Sequence, residues 1–240
     1  MEIEGIKLLE KKSYHWYPFV TAVFVTTLVV SNIIAVKLIQ VGVLIVPAAV
    51  IIFPVAYIFG DILTEVYGYA RARQAIWIGF LCNLLAVIAI WIGGLLPAAP
   101  FWKLEGFTTP EMSQQAYQAI LGFTPRLLLA SFTAYLVGEF LNSFVLARLK
   151  VRTAGRLLWL RTITSTLIGQ GADSVIFIVI AFGGILPTSA LWQAIVSQWT
   201  IKVAYEIIVT PLTYLIVNRL KRAEQEDFFD RETDFNPISL

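Results

Sequence analysis

Apolar runs of 18 residues or more recur along almost the whole chain, each long enough to cross a hydrocarbon core of about 30 Å. With 58% hydrophobic and 14% charged residues in 240 positions, the chain departs from the roughly 45–50% and 25% of soluble domains. It has no room for a large soluble domain. The fold class expected is an all-α integral membrane protein, with spans near 17–39, 43–67, 74–96, 126–149, 161–185 and 192–218. The organisation expected is an N-terminal segment 1–16, a six-helix membrane domain 17–220 with an external loop 97–125, and a polar tail 221–240. No cleavage site follows the first apolar run, so no removable signal peptide is expected.

An even number of spans puts both termini on one side. Fourteen of the 18 Lys and Arg fall before the first span, in the 68–73 and 148–161 turns, or after the last span. By the excess of positive charge in cytoplasmic loops, those segments and both termini are cytoplasmic, in a multi-pass membrane protein. Lys37, Lys103 and Arg126 fall on the other side, where Lys37 and Arg126 read as residues that snorkel to the interface, and Lys202 lies inside a span.

Several function classes drop out. Net charge is +2, with no basic, aromatic-interleaved patch to grip a phosphate backbone, so no nucleic-acid partner is expected. Cys82 and His15 are the sole cysteine and histidine, too few for a disulfide framework, a zinc cluster or a Ser-His triad. Asn83 and Cys82 read as packing residues and His15, beside Trp16 and Tyr17, as interfacial. No metal, cofactor or catalytic residue is expected, and the chain does not read as an enzyme.

The 97–125 loop predicts a short helix capped by Thr109, with Pro110 at its first position, Glu111 at its positive end and Gly122 closing it. It reads as an interfacial helix anchored by Phe101 and Trp102, or else as a gating lid. The tail from Glu224 is acidic and polar and is expected to be disordered. Residues 56–64 align without gaps on 134–142, matching Ala56, Tyr57, Gly60, Asp61 and Leu63 to Ala134, Tyr135, Gly138, Glu139 and Leu141, an offset of 78 that points to a duplicated unit. On the fourth span Ala130, Ala134 and Gly138 make a small-residue row suited to helix packing, with a homodimer as one use of it.

A carboxylate at mid-bilayer costs about 2.5–3.5 kcal/mol, so a span that carries one needs a partner, water or a function. Asp61 and Glu139 stand ten and nine positions from the inner basic residues Arg71 and Arg148, roughly 14–15 Å deep at 1.5 Å per residue, and Asp173 and Glu206 lie at or just beyond the centre. Helical spacing adds Glu65 to the face of Asp61, Tyr135 and Asn142 to that of Glu139, and Lys202 to that of Glu206. Gly169 and Gly171 bracket Gln170 just before Asp173, which permits either an unwound stretch or a close helix approach. Lys202 can neutralise one of the four acids. The remainder call for an aqueous cavity or a cationic, donor-rich ligand. Carboxylates, the amides of Asn32, Asn142 and Gln170, and the rings of Tyr57, Tyr135 and Tyr205 suit a flat solute rich in hydrogen-bond donors. A sodium or proton site is the rival use of the same acids.

The segments SNIIAVK (31–37), FPVAYIFGDILTEVYGYARAR (53–73), ASFTAYLVGEFLNSFV (130–145) and STLIGQGADSVIFIVIAFGG (165–184) resemble the bacterial queuosine-precursor transporters, a vitamin-uptake (VUT) type family. The resemblance implies a carrier of 7-deazaguanine precursors, in cyano or aminomethyl form. It also implies a compact six-helix bundle similar in span count to the S-components of energy-coupling-factor vitamin importers. Site residues expected on that basis are Asn32, Tyr57, Asp61, Glu65, Tyr135, Glu139, Asn142, Gln170, Asp173, Lys202, Tyr205 and Glu206. The alternative is a substrate-binding S-component serving a separate ATP-driven module. Its docking row, alanines spaced four residues apart on the first span, is not found in PFVTAVFVTTLVVSNIIAVKLI.

Overall fold

A computed structural model describes residues 13–41, 44–122 and 125–239. Lys7, Lys11 and Lys12, and with them most of the expected N-terminal segment, lie outside the described residues. The order is α1 (Tyr17–Ile34), β1 (Leu38–Val41), β2 (Leu44–Pro47), a 3-10 turn (Ala48–Ile51), α2 (Phe53–Tyr67), α3 (Tyr69–Leu95), α4 (Pro110–Leu121), α5 (Pro125–Arg152), α6 (Leu158–Phe182) and α7 (Thr188–Glu224). Among the described residues, five helical stretches are long and apolar enough to cross a membrane: α1, α3, the one containing α5, α6 and α7. The chain is a multi-pass, predominantly helical membrane bundle. Its outer faces carry exposed Leu81, Leu85 and Trp91 on α3, Val175 and Val179 on α6, and Ile207, Ile208 and Leu212 on α7. Its interior holds the charges. Lipid is as apolar as a leucine core, so polar groups turn inward and meet partners there.

The segment expected as a second span from 43 to 67 is divided. An antiparallel hairpin pairs Leu38 with Pro47 and Val41 with Leu44, the 3-10 turn follows, and α2 has only 15 residues. Valine- and isoleucine-rich sequence favours extended backbone, and Pro54 sits where a helix begins, in its first turn. Hydropathy cannot distinguish an apolar strand from an apolar helix. The α2–α3 reversal takes a single residue, Gly68, at φ +83°, where a Cβ would fall 2.3 Å from a ring carbon of Phe228. Arg71 and Arg73, expected in a turn, thus open α3.

Helices α5 and α6 touch backbone to backbone. A Cβ on Gly169 would meet the Gly138 carbonyl and the Asn142 Cβ, both at 2.7 Å, and one on Gly138 would meet the Asp173 Cβ at 2.8 Å. Because α6 is continuous through Gly169 and Gly171, the glycines serve close approach and not an unwound stretch. Ala130, Ala134 and Gly138 are all buried within the chain, so the small-residue row is not available as a homodimer surface.

The loop helix α4 begins as its sequence predicts, with the Thr109 hydroxyl accepting from the Met112 N–H at 3.3 Å and Glu111 in the first turn. It is tied to α3 by Tyr117, whose phenol donates to the Ile90 carbonyl (3.1 Å), and by Gln114, whose amide donates to the Gly94 carbonyl (2.9 Å). Thr109→Ala is expected to cost about 1 kcal/mol locally. Faster amide exchange confined to the first turn of α4 is the signature.

The tail after Glu224, expected to be disordered, is docked instead. The Tyr69 N–H donates to both Asp230 oxygens (3.0 and 3.2 Å), Arg73 donates to the carbonyls of Asp234 (3.0 Å) and Asn236 (2.7 Å), and the Trp77 indole donates to that of Pro237 (2.8 Å). Phe235 packs on the Tyr69 and Phe144 rings. Burial pushes the Asp230 carboxyl up, whereas at Asp227 burial is overridden by hydrogen bonds from Lys150 and Lys221 that hold its pKa below the ordinary 3.8. A depressed carboxyl pKa contributes stability above the unfolded value and loses it as pH falls through the folded one. The Asp227 tether is therefore expected to release below pH 3.8, read as a loss of amide protection across 226–239 after correction for intrinsic exchange.

Candidate functional site

Tyr57, Asp61 and Glu65 follow one another at one-turn intervals on α2 and mark three levels of polar residues in the bundle. The first surrounds a cavity of about 230 Å³ near the hairpin end, lined by Asn32 and Leu28 of α1, Phe53, Ala56 and Tyr57 of α2, Asn83 of α3, Ser131, Tyr135 and Glu139 of α5, Gln170, Asp173 and Phe177 of α6, and Gln198 and Lys202 of α7, with Ala35 and Pro47 at the hairpin. Lys202 and Asp173 form an ion pair across α6 and α7, both side chains more than four-fifths buried. Tyr135 donates its hydroxyl to the Ile76 carbonyl (3.0 Å), an approach that Gly79 makes room for, so toward the cavity it offers a ring. Tyr57 stacks on Phe53 with ring planes 6° apart and centroids separated by 6.2 Å. Glu139 rests on Gly60, where a Cβ would come within 3.3 Å of its Oε2. The cavity thus combines a buried carboxylate, an ion pair, four side-chain amides and stacked rings.

The second level holds Asp61, Asn142 and Glu206, all buried. Asn142 donates to the Asp61 Oδ1 at 2.9 Å. The Asp61 Oδ2, the Asn142 Oδ1 and both Glu206 oxygens have no hydrogen-bond partner among the described residues.

The third level closes the end that carries the tail. Glu65, fully buried, receives Arg161 at 2.8 Å, Lys221 at 2.7 Å and Lys150 at 3.6 Å on one oxygen. Lys150 and Lys221 also reach Asp227 of the tail, at 2.5 and 2.8 Å. Lys150 donates to the backbone carbonyls of Glu65 (2.5 Å) and Phe228 (2.7 Å). Glu65, nominated from sequence as a site residue, ties α2 to α5, α6 and α7 through these cations and is not part of the cavity lining. Its partners were assigned from sequence to that end of the bundle but not to this carboxylate.

Of the twelve residues nominated from sequence, seven meet at the cavity: Asn32, Tyr57, Tyr135, Glu139, Gln170, Asp173 and Lys202. Asp61, Asn142 and Glu206 form the level below, Glu65 the far clamp, and Tyr205, next to Glu206 on α7, is not part of the cavity lining. Sequence reasoning missed Ser131 and Gln198, although each lies four residues before a nominated residue, Tyr135 and Lys202, on the same helix face. Asn83 was taken for packing and instead lines the cavity, an isolated amide with no stripe to signal it. Arg126 donates to the carbonyls of Ile180 (2.6 Å) and Gly183, closing the end of α6. In the internal echo, Tyr57 and Tyr135 both reach the cavity, whereas Asp61 lies beneath it and Glu139 within it.

A helical membrane bundle closed around a polar, part-charged cavity is the architecture of a solute-handling membrane protein. The chain belongs to the family described as "Putative vitamin uptake transporter", whose model matches residues 47–216. That description is of a transporter family. The chain is 34% identical over 155 residues to a Bacillus subtilis protein, covering 64% of each chain, and 27% identical over 130 residues to one from Haemophilus influenzae, covering 54% of this chain and 49% of that one. Both are named "Probable queuosine precursor transporter". The matches thus span from about half to just under two thirds of these relatives. No solved structure matches the chain.

Proposed function

We propose that the chain is a bacterial inner-membrane carrier that imports 7-deazaguanine precursors of queuosine through the cavity between α2, α5, α6 and α7. The observation that carries the reading is the donor and acceptor set of that cavity. The Glu139 carboxylate and the amides of Asn32, Asn83, Gln170 and Gln198 accept from a heterocycle edge rich in N–H groups, and the Tyr57, Phe53 and Tyr135 rings cover its faces. Lys202 pairs with Asp173 and can donate to a ring carbonyl. A cavity of about 230 Å³ suits a bicyclic base better than a nucleotide.

The end with Arg71, Arg73, Arg148, Lys150, Arg161 and Lys221 is the cytoplasmic one in this reading, so the cavity faces the outside. The names of the two relatives support the solute class. Purified protein in liposomes is expected to bind and move radiolabelled cyano- or aminomethyl-7-deazaguanine, and to lose this on Glu139→Ala. Movement of neither base would end the proposal.

A further inference from the structure

The second level has a chemistry that the cavity does not explain. Asp61 and Glu206 are 2% and 1% exposed, and the helices that carry them pack together through Ile58, Ile62 and Val66 on α2 and Val209 and Val217 on α7. The nearest further acids are Glu139 of α5, which rests on Gly60 beside Asp61, and Glu65 one turn along α2.

Among the described residues, the cations whose contacts are seen are engaged elsewhere, and Arg219 and Arg222 lie more than three turns beyond Glu206 on α7. On α7, Lys202 pairs with Asp173 and Lys221 with Glu65 and Asp227; on α6, Arg161 pairs with Glu65. On α5, Lys150 serves Glu65 and Asp227, Arg148 lies over the Phe235 ring and Arg126 bonds the end of α6. On α3, Arg73 holds the tail and Arg71 covers Tyr14 and Tyr17, and α1 carries no charged residue between Tyr17 and Ile34. Asn142 donates an N–H to Asp61, while its own buried oxygen, one oxygen of Asp61 and both of Glu206 have no hydrogen-bond partner among the described residues.

Acceptors alone cannot satisfy one another: the set lacks donors. Two buried carboxylates without a counter-charge do not both stay ionised. A proton cures both defects, because it removes a charge and creates an O–H donor for a neighbouring lone pair. It also needs no space, and none of these three residues lines the cavity above.

We infer that Asp61 and Glu206, with Asn142 as the fixed polar neighbour, form a proton-binding site one turn beneath the cavity. In it a carboxylate takes up one proton from water to become a carboxylic acid, and the pair holds that proton at neutral pH. The site is independent of which solute the cavity takes.

Infrared spectroscopy of the full chain in liposomes at pH 7 tests this without any solute. Wild type is expected to show a protonated-carboxyl C=O stretch that shifts in deuterated water and loses intensity in the D61N/E206Q double variant, whose amides mimic the neutral acids and keep the fold. Should the double variant not fold, D61N and E206Q singly carry the same readout. Unchanged intensity in that band on removing these acids would overturn the assignment. So would a melting temperature raised by sodium chloride over choline chloride in wild type but not in E206Q, since the site would then hold a metal ion.

Discussion

Glu65→Gln is expected to lower the thermal midpoint of the bundle sharply, at a cost of about 3–5 kcal/mol, because removing one partner of a buried pair leaves the other as an uncompensated charge. Three cations converge on this one side chain, and those of Lys150 and Arg161 are themselves 1% exposed. After the change Arg161 keeps only neutral acceptors, the Thr153 hydroxyl and the Arg156 carbonyl, while Lys150 and Lys221 fall back on Asp227. The effect should fall on stability alone. Glu65 lies two turns along α2 from Tyr57, about 12 Å at 1.5 Å per residue, so folded protein should bind solute as wild type does. Thermal unfolding in detergent, with solute affinity measured below the transition, separates the two. An unchanged midpoint would refute the clamp.

Lys202→Met is expected to damage both stability and transport. It strands Asp173 within the bundle, again about 3–5 kcal/mol, and it removes a charge-assisted hydrogen bond at the cavity wall worth about 1.5–3 kcal/mol to any ligand that uses it. Uptake into liposomes should therefore fall by about tenfold or more. The double variant D173N/K202M should regain much of the melting temperature, because the stranded charge is gone, without regaining uptake. If single and double variants melt alike, the pair is not coupled, and the cycle gives the coupling directly.

The spans of this chain were readable because lipid leaves little choice: long apolar runs form helices, and inward-facing charges betray themselves by their cost. The same rule picked out Asp61, Glu139, Asp173 and Glu206 and, through four-residue spacing, Lys202. What spacing along one helix does not contain is depth relative to other helices. Asp61 and Glu139 occupy matching places in the internal echo, yet only Glu139 reaches the cavity, where it rests on Gly60 of α2. The hairpin at 38–47 escaped because valine and isoleucine serve strands and membrane helices equally. The tail escaped because its acidic composition outweighed Phe228, Phe229 and Phe235, the residues that dock it.

The brevity of α2 bears on electrical behaviour. Fifteen residues rise about 22 Å, against about 30 Å for the surrounding hydrocarbon. With water in the cavity at its N-terminal end, the insulating septum at this point is thinner than the membrane around it, and the transmembrane voltage drops over that shorter path. A charge displaced through the septum thus feels a steeper field than one moved through bare bilayer, where a full crossing corresponds to about 2.3 kcal/mol per 100 mV.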